Sequence, residues 1–185
     1  MNIKENLRTI LDELLESILQ IDEEQVETFT EEIINANHIF LTGAGRSGLV
    51  IKAFSNRLMH LGFSVSVLGE INTPHTQKDD LLIICSGSGE TGSLKSTAEK
   101  AMEKGLQILL ITTNEKSSIA NISNAVVKLE GVSKTQNDSS RQSKQPMGTL
   151  FEQGCFILFD ALVLLMMDKL SQNSTMMFAR HADLE

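Results

Sequence analysis

The sequence predicts an α/β protein, a parallel sheet with helices on both faces. Three observations carry this: short apolar runs alternate with helical patterns along most of the chain, two glycine- and serine-rich segments each stand between such a run and the next helix, and no second composition interrupts the alternation. With 185 residues the chain suits one core, and one domain over 1–185 is the expectation.

The elements follow in order. Leu7, Ile10, Leu11, Leu14, Leu15, Ile18 and Leu19 recur at helical spacing, with Asp12, Glu13 and Glu16 between them on the opposite face, so the chain opens with an amphipathic helix. Val26, Phe29, Ile33 and Ile34 give a second, completing a helical section over 1–36. His38–Thr42 is a short apolar run stopped by glycine and reads as the first strand; a helical pattern from Leu49 to Leu61 follows and stops at Gly62. Further strands are expected near Ser64–Leu68, Leu81–Cys85, Leu106–Ile111 and Ala125–Leu129, with helices near Gly92–Lys104 and Ser117–Ile122, so that the sheet core covers 38–130. Residues 131–148 form the one long polar segment, too long for an ordinary connection, and are expected to be an active-site loop. Thr149–Leu170 reads as a long apolar helix, and STMMFARHADLE closes the section 149–185 as a tail.

Composition narrows the function. A formal charge of −8 argues against a nucleic-acid partner, whose phosphates are bound by clustered Lys and Arg. Cys85 and Cys155 lack metal or redox spacing and read as buried hydrophobes, in keeping with a reducing cytoplasm. The N-terminus mixes charges through its apolar positions, unlike a signal peptide. The most apolar stretch, Cys155 to Met167, contains Asp160 and falls short of the roughly 18 residues that span a bilayer, so no membrane partner is expected. The four histidines are widely separated, which suggests no metal site.

Ligand chemistry lies in the two loops, GAGRSG at 43–48 and SGSGET at 86–91. In an open parallel sheet both fall on the ligand-binding edge, beyond the carboxyl ends of the strands. Gly45 and its neighbours let backbone N–H groups close around an anion; Ser47, Ser86, Ser88 and Thr91 supply hydroxyl donors; each following helix adds the positive end of its dipole. An acidic protein can hold a phosphate monoester in this way. Gly43, Gly45 and Gly48 also match G-x-G-x-x-G, with Glu70 after the next strand, so a dinucleotide remains a competing ligand, and tight strand-to-helix turns explain the glycines without any ligand. No lysine stands at the position a nucleoside triphosphate would need.

The segments GAGRSGLVIKAFSNRLMHLGF, SGSGET, QPMGTLFEQ and MFARHADLE, in that order, resemble the sugar isomerase (SIS) domain and, within it, the 6-phospho-3-hexuloisomerase branch. SGSGET marks only the broad domain; the last two segments point to the branch. The resemblance implies a three-layer α/β/α sandwich around a five-stranded parallel sheet, flavodoxin-like, with no cofactor. It implies interconversion of D-arabino-hex-3-ulose 6-phosphate and D-fructose 6-phosphate through an enediolate, in formaldehyde fixation or detoxification by the ribulose monophosphate route beside 3-hexulose-6-phosphate synthase. It further implies a homo-oligomer, a tetramer being the expected form, with sites near subunit junctions. The excess apolar surface of the first and last helices points the same way.

Such a carbonyl shift needs a base, donors for the enediolate and a returning proton. Glu152 is the candidate base by resemblance; on its own, Thr149-Leu-Phe-Glu152 reads as a capping box in which the glutamate merely secures a helix start. The resemblance implies that His181, supplied by a neighbouring subunit, reaches the site; by itself it is a tail histidine. Arg46 suits a phosphate or sugar oxygen, or is a solvated arginine at a helix start. His60 suits a substrate contact or a structural cation near a helix C-terminus. Other SIS isomerases, acting on phosphoheptose or arabinose 5-phosphate, and a non-catalytic SIS module that senses sugar phosphate remain alternatives; the module normally accompanies a DNA-binding segment, and the acidic first helix speaks against one.

Overall fold

A computed structural model describes residues 2–131 and 143–184. Five parallel strands, β1 (Ile39–Gly43), β2 (Val65–Val67), β3 (Leu81–Cys85), β4 (Gln107–Thr112) and β5 (Ala125–Lys128), form one sheet in the order β2-β1-β3-β4-β5. Helices α1 (Ile3–Ile18), α2 (Glu23–Asn35), α3 (Gly45–Leu61), α4 (Gly92–Glu103), α5 (Thr149–Lys169) and α6 (Ser174–Phe178) surround it, with a 3₁₀ turn at Ala120–Ile122. This is the expected α/β architecture in its flavodoxin-like strand order.

The order turns between β1 and β3. From β1 the chain steps outward to β2; from β3 it steps the other way to β4. Right-handed crossovers in opposite directions put the connecting helices on opposite faces, so α3 lies on one face and α4 on the other. Alternate strand residues sort accordingly. Ile39, Leu41, Ile83 and Leu109 meet α2, α3 and α5, whereas Phe40, Leu82, Ile84 and Leu110 meet α4. β3 is buried on both faces, which is why Leu-Leu-Ile-Ile-Cys is apolar without alternation.

α5 is the central helix of the thicker layer. It lies along α3, where the Phe54 and Phe159 rings stack at 4.2 Å, and buries Phe151, Cys155, Leu158, Leu162 and Met166. Its 21 residues exceed the apolar stretch read from the sequence, and by length and composition it could cross a membrane. Half of that window is nevertheless buried within the fold, as expected of a core helix.

Three details differ from the sequence reading. α3 begins at Gly45 rather than Leu49, because Gly45 adopts φ +58° and turns the chain straight into the helix, so that Arg46, Ser47 and Gly48 are helical. The tail is not wholly irregular: Asn173 accepts a hydrogen bond from Met176 N and starts α6. Most of the 131–148 segment, residues 132–142, lies outside the described residues.

Candidate active site

The register brings the two glycine loops together. Gly43, the last residue of β1, pairs with Cys85, the last residue of β3, so GAGRSG and SGSGET leave adjacent strands side by side, at the point where strand order turns. That point on the carboxyl edge is where open α/β sheets bind ligands. From it rise the N-termini of α3 and α4, and neither has a side-chain cap: Ala44 has no side chain for the task, and Thr91, the N-cap of α4, makes no capping bond. First-turn N–H groups of both helices thus remain available to an anion, with the dipoles favouring negative charge.

The glycines have different duties. A Cβ on Gly48 would stand 2.7 Å from the Gly43 carbonyl oxygen, so these two allow α3 to lie close to the end of β1. A Cβ on Gly45 would meet nothing within 4 Å; its side of the turn faces open space. In the second loop a Cβ on Gly89 would collide with the buried Ser117 side chain at 2.0 Å, and one on Gly87 would press on the Phe151 ring at 3.1 Å. The loop is also tied down. The Gly87 carbonyl accepts hydrogen bonds from the Thr112 and Thr113 hydroxyls, at 3.0 and 2.8 Å, and from Thr113 N. Ser86 Oγ accepts from Gly89 N and Ser88 Oγ from Glu90 N, each at 3.2 Å. Glu90 accepts from Ser118 N and Oγ, and these bonds hold its carboxyl below the ordinary range.

Contact of Phe151 with Gly87 sets the start of α5 against this edge, and the next residue is Glu152. Its side chain is only 7% exposed, and its Oε2 lies 3.5 Å from Arg46 Nε. Arg46 Nη1 also donates to Thr149 Oγ1 at 3.3 Å, while Thr149 Oγ1 donates to the Pro146 carbonyl at 2.6 Å. The capping-box reading therefore fails. Gly148 is the N-cap of α5, Thr149 is already helical, and no side chain makes a capping bond there. Glu152 is instead a buried carboxylate facing an exposed arginine. Arg46, Leu49, Val50, Glu152, Gln153 and Phe156 line an open cleft of about 240 Å³ between α3 and α5. The Gln153 Oε1 atom there is buried without a hydrogen-bond partner.

His60 and His181 stand elsewhere. Fourteen residues of α3 separate Arg46 from His60, about 21 Å at 1.5 Å per residue. The His60 and His181 rings stack at 5.3 Å, and Arg180 Nη1 donates to the His60 carbonyl at 2.9 Å and to Met176 O, closing the C-terminal end of α3. His60 does sit in the last turn of α3. However, burial, then the charges of Arg57 and His181, hold its proton affinity below the usual value, so the structural cation expected there is disfavoured. Within one chain the structure joins Gly45, Arg46, Ser47, Ser86, Ser88, Thr91 and Glu152 along one edge, and leaves His60 and His181 together at the far end of α3.

Among the described residues no three His, Cys, Asp or Glu side chains gather as metal ligands. Cys85 and Cys155 are buried with sulfurs 3.6 Å apart, and burial pushes the Cys155 thiol well up, away from the reactive thiolate.

The sequence profile of the SIS domain matches residues 32–154, from the end of α2 through the first turns of α5. This chain belongs to the SIS domain family. Within the family it is similar to two proteins called 3-hexulose-6-phosphate isomerase. That of Bacillus subtilis (strain 168) is 42% identical over 185 residues, all of both chains; that of Mycobacterium gastri is 37% identical over 184 residues, 100% of this chain and 92% of its own. A protein of Methanococcus jannaschii, whose crystal structure inferred a molecular function of 3-hexulose-6-phosphate isomerase, superposes with a TM-score of 0.85 at 32% identity over 98% of this chain and 99% of that one. The chain is an SIS-family isomerase of sugar phosphates.

Proposed function

We propose that this chain interconverts D-arabino-hex-3-ulose 6-phosphate and D-fructose 6-phosphate. One observation carries the reading: Glu152, the buried carboxylate at the start of α5, faces Arg46 beside the edge where the two phosphate-binding loops open, and performs no capping function that would account for it. The relatives called 3-hexulose-6-phosphate isomerase support this choice of substrate.

In this reading the phosphate lies across the N-termini of α3 and α4, held by backbone N–H groups from Gly45 onward and by Ser47, Ser86, Ser88 and Thr91. Glu152 removes the proton from carbon 3 of fructose 6-phosphate, the electron pair moves to the carbon 2 carbonyl, and the resulting enediolate is stabilised by the Arg46 guanidinium. Return of the proton to carbon 2, with transfer of the carbon 3 hydroxyl proton to the carbon 2 oxygen, gives the 3-ketose. The two sugars have the same redox level, so the shift needs no redox cofactor.

Fructose 6-phosphate incubated with the protein in deuterated water should exchange its carbon 3 proton, followed by NMR. Glu152→Gln should lower that exchange by about 10²–10⁴-fold, the usual contribution of a general base, while leaving sugar-phosphate binding in place. Undiminished exchange in the variant would remove Glu152 from this role. Absence of exchange in the unaltered protein would sink the whole reading.

The same reading puts the reaction downstream of 3-hexulose-6-phosphate synthase in the ribulose monophosphate route, in the cytoplasm. It also calls for a homo-oligomer, with a tetramer as the expected form. Ile3, Leu7, Leu11 and Leu15 make an exposed apolar row at four-residue spacing along α1, and Phe156 and Leu164 are exposed on α5. A second copy covering these faces would bury them and could bring its His181 to Glu152, which His181 of the same chain does not approach. Light scattering should give a multiple of the 20.4 kDa chain mass; a monomer at micromolar concentration would overturn both points.

A further inference from the structure

α1 turns two polar side chains inward, one helical turn apart, and each holds one end of the segment between β5 and α5. Ser17 Oγ donates to the Glu130 carbonyl. Glu13 accepts three hydrogen bonds from the other end: Ser143 Oγ at 2.6 Å, Lys144 N at 2.8 Å and Gln145 Nε2 at 3.0 Å. Burial alone would raise the Glu13 carboxyl; the three donors, with the Lys144 charge, outweigh it and hold the group below its ordinary value. Gln145 is itself buried, and its Oε1 has no partner, so the bond to Glu13 is what orients that side chain.

The contacts continue without a gap. After Gln145 comes Pro146, whose carbonyl accepts from Thr149 N and Oγ1; Thr149 Oγ1 accepts from Arg46 Nη1; and Arg46 Nε faces the Glu152 carboxylate. We infer that Glu13 is a positioning residue for the isomerase site: from α1 it fixes residues 143–145, and through Pro146 and Thr149 it sets where Arg46 and Glu152 stand. This rests on the roles proposed above for Arg46 and Glu152. A carboxylate does here what no amide can, because it presents only acceptors to three converging donors.

The test compares Glu13→Gln, Glu13→Ala and, as a control for charge on the same helix, Asp12→Asn at an exposed position. Steady-state isomerisation should show kcat lowered roughly 10–100-fold in Glu13→Ala, the scale expected when a reacting group is displaced by about an ångström, with KM changed less than about twofold. Glu13→Gln should fall between, and Asp12→Asn should match the unaltered protein. Independently of activity, the NMR signals of the Arg46 Nε–H group and the Glu152 carboxyl carbon, followed at one fixed pH, should shift in Glu13→Gln, because Arg46 is no longer held beside the carboxylate. Unmoved Arg46 and Glu152 signals overturn the inference, as does unchanged kcat in a folded Glu13→Ala; if the alanine variant does not fold, Glu13→Gln decides by the same two measures. An unaltered protein that fails to isomerise would overturn the proposed reaction, and the Arg46 and Glu152 signals would still judge the role of Glu13.

Discussion

The two glycine loops look alike in sequence and are built for different purposes. GAGRSG uses Gly43 and Gly48 to bring a helix against a strand and leaves Gly45 facing open space. SGSGET spends both glycines on packing, against Phe151 and Ser117, and is fastened by hydrogen bonds from Thr112 and Thr113 to the Gly87 carbonyl. One loop is open to space at Gly45, and the other is a braced wall that also sets the start of α5. A glycine-rich loop at a sheet edge is therefore not uniformly a ligand cradle. Its glycines divide into Gly45, which faces open space, and those that make room for neighbouring protein atoms.

Glycine substitutions should break this comparison most severely. Gly89→Ala puts a methyl group onto the buried Ser117 side chain at a residue with φ +62°, so steric overlap and backbone strain add. A loss of about 3 kcal/mol or more is expected, roughly 6–12 °C in Tm for a chain of this size. Gly48→Ala, which meets backbone at 2.7 Å, should behave similarly. Gly45→Ala has open space and only the φ +58° to resist it, a cost of about 1–2 kcal/mol. Thermal unfolding of the three variants checks the order. Equal losses at Gly45 and Gly89 would mean that the loops do not differ as described.

The sheet was legible because its signals are local: β1, β3 and β4 are runs of apolar residues wherever they are found, and each is stopped by a glycine, serine or threonine. The site was legible only in part, since its geometry depends on which face of a helix turns inward. On α1 the apolar spacing serves two faces. Leu14 and Ser17 are buried, whereas Leu7, Leu11, Leu15 and Leu19 are exposed, so Glu13, placed by spacing on the face opposite the apolar positions, points into the fold. No pattern in the sequence says which of two apolar stripes the rest of the chain will cover. The residues at the start of α5 left two readings open for a related reason, and the structure removes one of them. Thr149-x-x-Glu152 matches a capping box letter for letter, but the Pro146 carbonyl takes the Thr149 hydroxyl and makes Gly148 the N-cap. With the N-cap at Gly148, the capping alternative for Glu152 falls away and leaves a buried carboxylate with a cationic neighbour. The far position of His60 follows from helix length, since a site at the start of α3 excludes its last turn, and His181 is there because its ring stacks on His60.

The smallest expected effect concerns hydroxyls, and it separates ligand-binding side chains from bracing ones within a single loop. Ser86 Oγ already accepts from Gly89 N, so Ser86→Ala should cost about 1 kcal/mol of stability through that lost bond. Thr91 stands at the N-cap of α4 without capping it, which leaves its hydroxyl uncommitted in the free protein. Thr91→Ala should then change stability by less than about 0.5 kcal/mol, yet weaken binding of fructose 6-phosphate by roughly 10–100-fold in calorimetric titration, the worth of one hydrogen bond to a charged group. Thr91→Ser should restore the affinity, since it restores the donor without the methyl group. If Thr91→Ala instead destabilises the protein and leaves affinity unchanged, Thr91 braces the helix, SGSGET is wall throughout, and the phosphate must be held by the first loop and the helix N-termini alone.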